Sequence, residues 1–325
     1  MNFKKLLNVF LLLTFFIPNI VFAYSDKVIL GGDNIGISVD TKEVIVVGFY
    51  KVNNKYIAKS SGFIIGDRIV SVNDTLVNSI EDLVKEINKS GSDKVKIRVK
   101  RLDEYKDIEL NLVKENNVYK TGLYIKDNIT GVGTLTYIDP ETKIFASLGH
   151  EIVDSKTGRI VDIKDGYIFD SNVVGIIKST STTTGEKQAK FNTSEVNGSI
   201  EKNTIKGIYG KYIKELDDNN LISVATPDEI KLGPAKIYTV LNGNDVEEYT
   251  INIIKINNDT PTKNILFEIT DKNLLEKANG VIKGMSGSPI VQNNKIIGAV
   301  THAIVNDNLK GYGIFITTML EEGEK

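Results

Sequence analysis

The sequence contains no cysteine and no tryptophan, and only 2 histidines and 6 prolines among 325 residues. Without cysteine there can be no disulfide, no thiol nucleophile and no thiolate metal site. The two histidines stand far apart with no His-Glu-x-x-His motif, too few ligands for a catalytic zinc. A phosphate-binding glycine loop with its lysine is missing as well, which argues against a nucleotide enzyme. Charge of one sign is scarce too: 40 basic and 42 acidic residues interleave to a net charge of -2, so nothing points to nucleic acid. No cofactor or metal is expected.

What remains is an ordinary globular composition, 41% hydrophobic and 25% charged, in a length that predicts two domains. Ahead of them, Met1 to Ser25 reads as a secretory signal. Lys4 and Lys5 form its basic start, Leu6 to Ile17 its apolar stretch, and Val21-Phe22-Ala23 a small-residue cleavage site. Residues 1–23 are therefore expected to be a cleaved signal peptide or an N-terminal membrane anchor, Asn8, Pro18 and Asn19 interrupting the apolar run. The remaining chain is expected outside the cytoplasm.

The first domain is expected over 27–114. Ile80, Leu83, Val84 and Ile87 follow helical spacing behind an N-cap at Ser79, with Asp82 three residues on. Val95, Ile97 and Val99 alternate with Lys94, Lys96, Arg98 and Lys100, the period of a half-buried strand. With Gly62, Gly66, Asp67, Ile69, Val72 and Asn73 ahead of them, these elements resemble a PDZ domain. The resemblance implies a carboxylate-holding loop at Asn34, Ile35, Gly36 and Ile37, beside which a peptide would add as a strand.

The second domain, 118–325, is a series of short apolar segments punctuated by Gly, Asn, Asp, Thr and Lys, which predicts a β-barrel or sandwich. Its one clear helix candidate is Lys272 to Ala278. The run Ser179 to Lys187 reads as a polar surface loop. Near the end stands Gly284-Met285-Ser286-Gly287-Ser288-Pro289, a small-residue turn before a hairpin through Asn293-Asn294. Such a turn is common as mere punctuation. It also suits a nucleophile, because glycines permit positive φ and can aim main-chain N–H groups at one point. His150 precedes it and His302 follows; chain order favours His150 as the base, while His302 could serve as base or line the cleft.

Gly149-His150 and the Ser286 turn resemble the active-site pair of trypsin-like serine peptidases. More narrowly, the chain resembles the stage IV sporulation protein B family in Gly131 to Thr136, Leu148 to His150, Gly284 to Ile290, Ile297 to His302 and Gly311 to Gly313. That resemblance implies a mainly β chain: an N-terminal PDZ-like α+β domain followed by a trypsin-like double β-barrel peptidase domain. It implies Ser286 as nucleophile, His150 as general base, Asp271 as the orienting acid, and the N–H groups of Gly284 and Ser286 as oxyanion hole. Asp154, Asp162 and Asp170 stay open as alternative acids, and an N-cap is the other reading of Asp271. It further implies an exported, self-cleaving endopeptidase of endospore formation. Such an enzyme cuts a membrane-associated regulator between the forespore membranes, so that intramembrane proteolysis and late sigma factor activation follow. A secreted peptide-binding protein with an inactive peptidase domain is the competing expectation.

Overall fold

A computed structural model describes residues 24–155 and 158–325; the expected signal or anchor segment, 1–23, lies outside the described residues. The period-2 patterning closes into two rings of strands. In the first, Leu123–Ile138 pairs with Asn34–Phe49, followed around the ring by Ile163–Ile177, Glu186–Thr204, Gly207–Tyr212 and Ile144–Ser147, which returns to Leu123–Ile138. In the second, Gly233–Thr239 is followed by Glu247–Ile256, Ile265–Ile269, Asp307–Phe315, Lys295–Ile304 and Pro289–Gln292, which closes on Gly233–Thr239. This is a trypsin-like double barrel, as the family resemblance implies.

Each ring buries its own core, around Ile37, Leu135, Phe145 and Ile168 in the first and Ile237, Ile251, Phe267 and Ile290 in the second. A further cluster containing Tyr137, Tyr209, Ala299 and Ile314 joins them. The C-terminal helix Ile316–Glu324 inserts Ile316, Met319 and Leu320 into that seam. Those three residues have helical i, i+3, i+4 spacing, a signal the sequence reading passed over.

The PDZ-like region is inserted into the first barrel rather than placed ahead of it. Its elements lie between Asn34–Phe49 and Leu123–Ile138, two strands that pair along most of their length. Helix Ile80–Ser90 starts where Ser79 Oγ accepts the Asp82 N–H at 3.0 Å and ends at Gly91 in the left-handed conformation. Its buried Leu83 and Ile87 pack with Val95, Ile97 and Val99, the inward face of Lys94–Arg101. Asp67 is fully buried, and its carboxylate takes both fork nitrogens of Arg101 at 2.8 Å, fixing the turn before Arg68–Val72.

Three expectations are corrected here. Residues 27–40 belong to the barrel, not to the PDZ-like region: Lys27–Leu30 pairs with Leu123–Ile138 and Leu221–Val224. Ile35, Gly36 and Ile37 have a strand on either side, Gly131–Gly133 and Ile168–Asp170 reaching them from opposite edges, and Asn34 pairs with Thr134 while its side chain donates to Ser171 Oγ. They therefore offer no edge for a peptide; alternation around a glycine suits a barrel strand as well as a peptide-binding one. The run Ser179 to Lys187 is not wholly a surface loop, because Ser179 and Lys187 are both buried. Its far end opens the strand Glu186–Thr204, whose many polar outward residues hide the period-2 signal.

Asp67→Ala would leave the Arg101 guanidinium without its carboxylate in a partly buried setting. It should destabilise the protein by about 3 kcal/mol, read from urea unfolding followed by far-UV circular dichroism, whereas Lys94→Ala on the exposed Glu109 pair should cost under about 1 kcal/mol.

Candidate active site

The turn carrying Ser286 is held by buried threonines of the strand Leu123–Ile138. Thr134 N–H donates to Ser286 O at 2.9 Å, Thr134 Oγ1 to Gly284 O at 2.8 Å, and Thr136 Oγ1 to Gly287 O at 2.8 Å. Glycine is required at 287: its φ is +93°, and an added Cβ would stand 2.0 Å from Thr134 O and 2.6 Å from Leu148 N. Gly284 likewise has φ +92°.

The direction of the N–H groups follows from where the carbonyls go. In a trans peptide C=O and N–H point opposite ways. Lys283 O accepts the Lys187 N–H at 3.0 Å and Met285 O accepts the Ser288 N–H at 2.9 Å. The partner N–H groups of those two peptides are those of Gly284 and Ser286. Neither has a protein acceptor among the described residues, whereas Lys283, Met285, Gly287 and Ser288 N–H all donate to carbonyls. Two uncommitted donors one residue apart, beside a hydroxyl, can stabilise charge on a carbonyl oxygen.

His150 reaches the same cavity by a second turn. After the strand Ile144–Ser147, Leu148 and Gly149 both adopt positive φ, 69° and 67°. A Cβ on Gly149 would lie 2.8 Å from Thr301 Cγ2, so the histidine turn packs against the strand behind the serine. His150 Nδ1 is 2.8 Å from Glu151 O. A carbonyl can only accept, so Nδ1 carries the hydrogen and Nε2 keeps its lone pair, the tautomer a general base needs. The His302 ring lies beside it, centroids 5.0 Å apart. His150, Gly284 and Ser286 line one cavity of about 520 Å³, bordered by residues 128–132 of the long strand. Among the described residues these pair only with Asn34–Phe49, and they line the cavity. Ser286 Oγ itself donates to Thr301 O at 2.9 Å and makes no hydrogen bond with His150.

The expected acid is not brought to the histidine. Asp271 caps helix Lys272–Ala278, accepting Leu274 N–H at 3.1 Å and Thr250 N–H at 3.2 Å. Among the alternatives, Asp154 pairs with Lys126 at 2.6 Å and Asp170 with Lys214 at 2.6 Å, and Asp162 is not among the partners of His150 either. The group that fixes the imidazole is the Glu151 carbonyl, a main-chain atom that no residue pattern could announce.

The PDZ-like region has a groove at another place than the Asn34–Ile37 stretch. Helix Ile80–Ser90 faces the start of the strand Leu123–Ile138, with Ile80 N–H donating to Asp127 Oδ2 at 2.8 Å. Between them is a cavity of about 270 Å³ lined by Leu83, Val84, Ile87, Tyr119, Thr121 and Ile125. Gly122, at φ +74°, opens the strand, and Leu123 to Lys126 pairs on one side only among the described residues. The stretch Gly122-Leu123-Tyr124-Ile125 has a glycine followed by apolar residues, as Gly36-Ile37 does.

The family model for SpoIVB peptidase S55 matches residues 117–320, and that for the PDZ domain matches 33–112. The chain belongs to the SpoIVB peptidase S55 family. It is a serine peptidase carrying a PDZ domain. The S55 match begins just before Gly122, at the strand shared by the groove and the Ser286 turn, and the PDZ match begins inside a barrel strand. No curated protein matches the chain. Among solved structures, the Rv3671c protease of M. tuberculosis in its active form is 12% identical, with a TM-score of 0.33 over 59% of this chain and 71% of that one. Its inactive form is 13% identical, with a TM-score of 0.32 over 59% and 82%. A serine-to-alanine variant of the HtrA-type protease AlgW with a decapeptide is 10% identical, with a TM-score of 0.37 over 90% and 62%.

Asp271→Ala should cost about 1 kcal/mol of stability through loss of the helix cap, and Asp271→Asn, which can still cap, should recover most of it in the same thermal melt.

Proposed function

We propose that the chain is an exported serine endopeptidase in which Ser286 is the nucleophile and His150 the general base. The observation that carries this reading is the pair of uncommitted N–H groups at Gly284 and Ser286, opening on the cavity that holds both side chains. The Ser286 hydroxyl leaves the Thr301 carbonyl for His150 Nε2 and attacks a peptide carbonyl carbon. A C–O bond forms while Nε2 takes the proton, and the oxyanion is met by the two N–H groups. Collapse breaks the C–N bond, the proton passes from Nε2 to the leaving amine, and water then releases the acyl group by the same route. An extended substrate fits the free edge of residues 128–132 by strand addition.

A second peptide end fits the groove between helix Ile80–Ser90 and Leu123–Lys126, with Gly122 at its mouth. The family supports the finer reading: processing of a membrane-associated sporulation regulator in the space between the forespore membranes, with self-cleavage near the N-terminus.

A fluorophosphonate probe should label the folded chain at Ser286, and Ser286→Ala should abolish labelling; a folded wild-type chain that stays unlabelled favours the inactive, peptide-binding alternative. Partial burial lowers the pKa of His150 from its ordinary 6.5, the carbonyl and charge of Glu151 opposing in part. Its base form thus persists below pH 6.5, and kcat/KM should begin to fall only below that value as pH drops. An acid limb centred above 6.5 would contradict this.

A further inference from the structure

Lys187 is 3% exposed and has no carboxylate partner among the described residues. Its Nζ donates to three neutral oxygens: Thr239 Oγ1 at 2.9 Å, Asn34 Oδ1 at 3.3 Å and Thr134 Oγ1 at 3.3 Å. A buried ammonium without a counter-ion is costly, and a methionine of similar length would fill the space without that cost. Its surroundings indicate what the charge does. Thr134 Oγ1 passes the contact on to Gly284 O at 2.8 Å, and the Lys187 N–H holds Lys283 O at 3.0 Å. The aliphatic stem lies against Gly284: a Cβ built there would stand 3.0 Å from Lys187 Cδ and 3.1 Å from its Cβ. Lysine 187 therefore touches the carbonyl on each side of Gly284, directly or through one hydroxyl, from the face away from the cavity.

We propose that Lys187 is a positioning residue of the peptidase site: its ammonium braces the turn from behind and adds positive potential where the Gly284 and Ser286 N–H groups meet the developing oxyanion. This rests on the roles proposed above for those two groups. Preorganised positive charge outside water acts strongly on charge that forms in the transition state. Asn34 donates onward to Ser171 Oγ at 2.9 Å, and Ser288 Oγ lies 3.4 Å from Thr134 Oγ1, so among the described residues the groups that bond the ammonium are all neutral. Burial alone pulls the lysine down from 10.5 to about 7. The sign follows: the charge is present below about pH 7 and lost above it, so the rate should decline through that region. The unfolded chain keeps the proton to its ordinary 10.5, so burying this lysine costs stability that grows as pH falls from about 10.5 to about 7 and stays constant below.

The test measures the second-order rate of fluorophosphonate reaction against pH, with folding followed by circular dichroism. Wild type should show a descending limb near pH 7. Lys187→Met should melt no lower than wild type at pH 6, react at least about tenfold more slowly there, and lose that limb. Thr239→Val removes the shortest Nζ contact away from the turn. It should move the limb about one pH unit lower with the maximal rate kept. A folded Lys187→Met with wild-type rate and profile overturns the proposal while leaving Ser286 as nucleophile. If Lys187→Met does not fold, an unshifted limb in Thr239→Val overturns it and a shifted one supports it. Absence of labelling in wild type itself instead removes the reading of Ser286 on which the proposal stands.

Discussion

The turn at Ser286 depends on a single strand. Buried peptide groups need partners, and three carbonyls of the turn, at Gly284, Ser286 and Gly287, find theirs on Thr134 and Thr136. With the carbonyls of Lys283 and Met285 satisfied as well, the remaining N–H groups have one direction left to face. Net stabilisation per hydrogen bond is only about 1 kcal/mol, but the set overdetermines the geometry. Electrostatic catalysis needs that rigidity, because dipoles that must reorganise give back what they gain.

The same strand places the rest. Ser147 Oγ donates to Thr134 O, bringing in the turn that presents His150, while Thr134 Oγ1 receives Lys187 on its inner side. The serine, the histidine and the lysine come from three segments well separated in sequence. They meet because each is bonded to one threonine or its neighbours, and not because any pair of them forms a strong mutual contact. In this structure the Ser286 hydroxyl bonds the Thr301 carbonyl and not the histidine.

Much of this was legible beforehand. Glycines around Ser286 and the Asn293-Asn294 turn have the positive φ that their chemistry suggested. The cap at Ser79, the alternation over Lys94–Arg101 and the short helix after Asp271 were readable because local rules decide them. Long-range pairing was not. Leu123–Ile138 is one strand whose apolar pattern Lys126, Asp127 and Asn128 interrupt where it passes from one domain to the next, so its continuity has no local signal. Gly36 and Gly122 carry the same local signal, and only tertiary neighbours tell a barrel strand from a groove edge. Lysine 187 was the hardest to read, because a lysine after a threonine-rich stretch has every local reason to be in water.

The insertion of the PDZ domain has a consequence for how such a chain can change. It enters through one strand and leaves through the adjacent, hydrogen-bonded partner, so its ends stand roughly 5 Å apart. To the barrel, the whole domain is equivalent to the tip of a hairpin, and it brings its own core to offset the entropy of closing so long a loop. Residues 41–44 bulge out of register opposite Asp127, where Thr41 Oγ1 donates to Asp127 O at 3.3 Å and Val44 already pairs with Ile69 of the inserted domain. A different module, or a short turn, could therefore replace it without disturbing a single strand order in the barrel. The specificity of what is brought to the peptidase and the chemistry performed there are separable inheritances of one continuous chain.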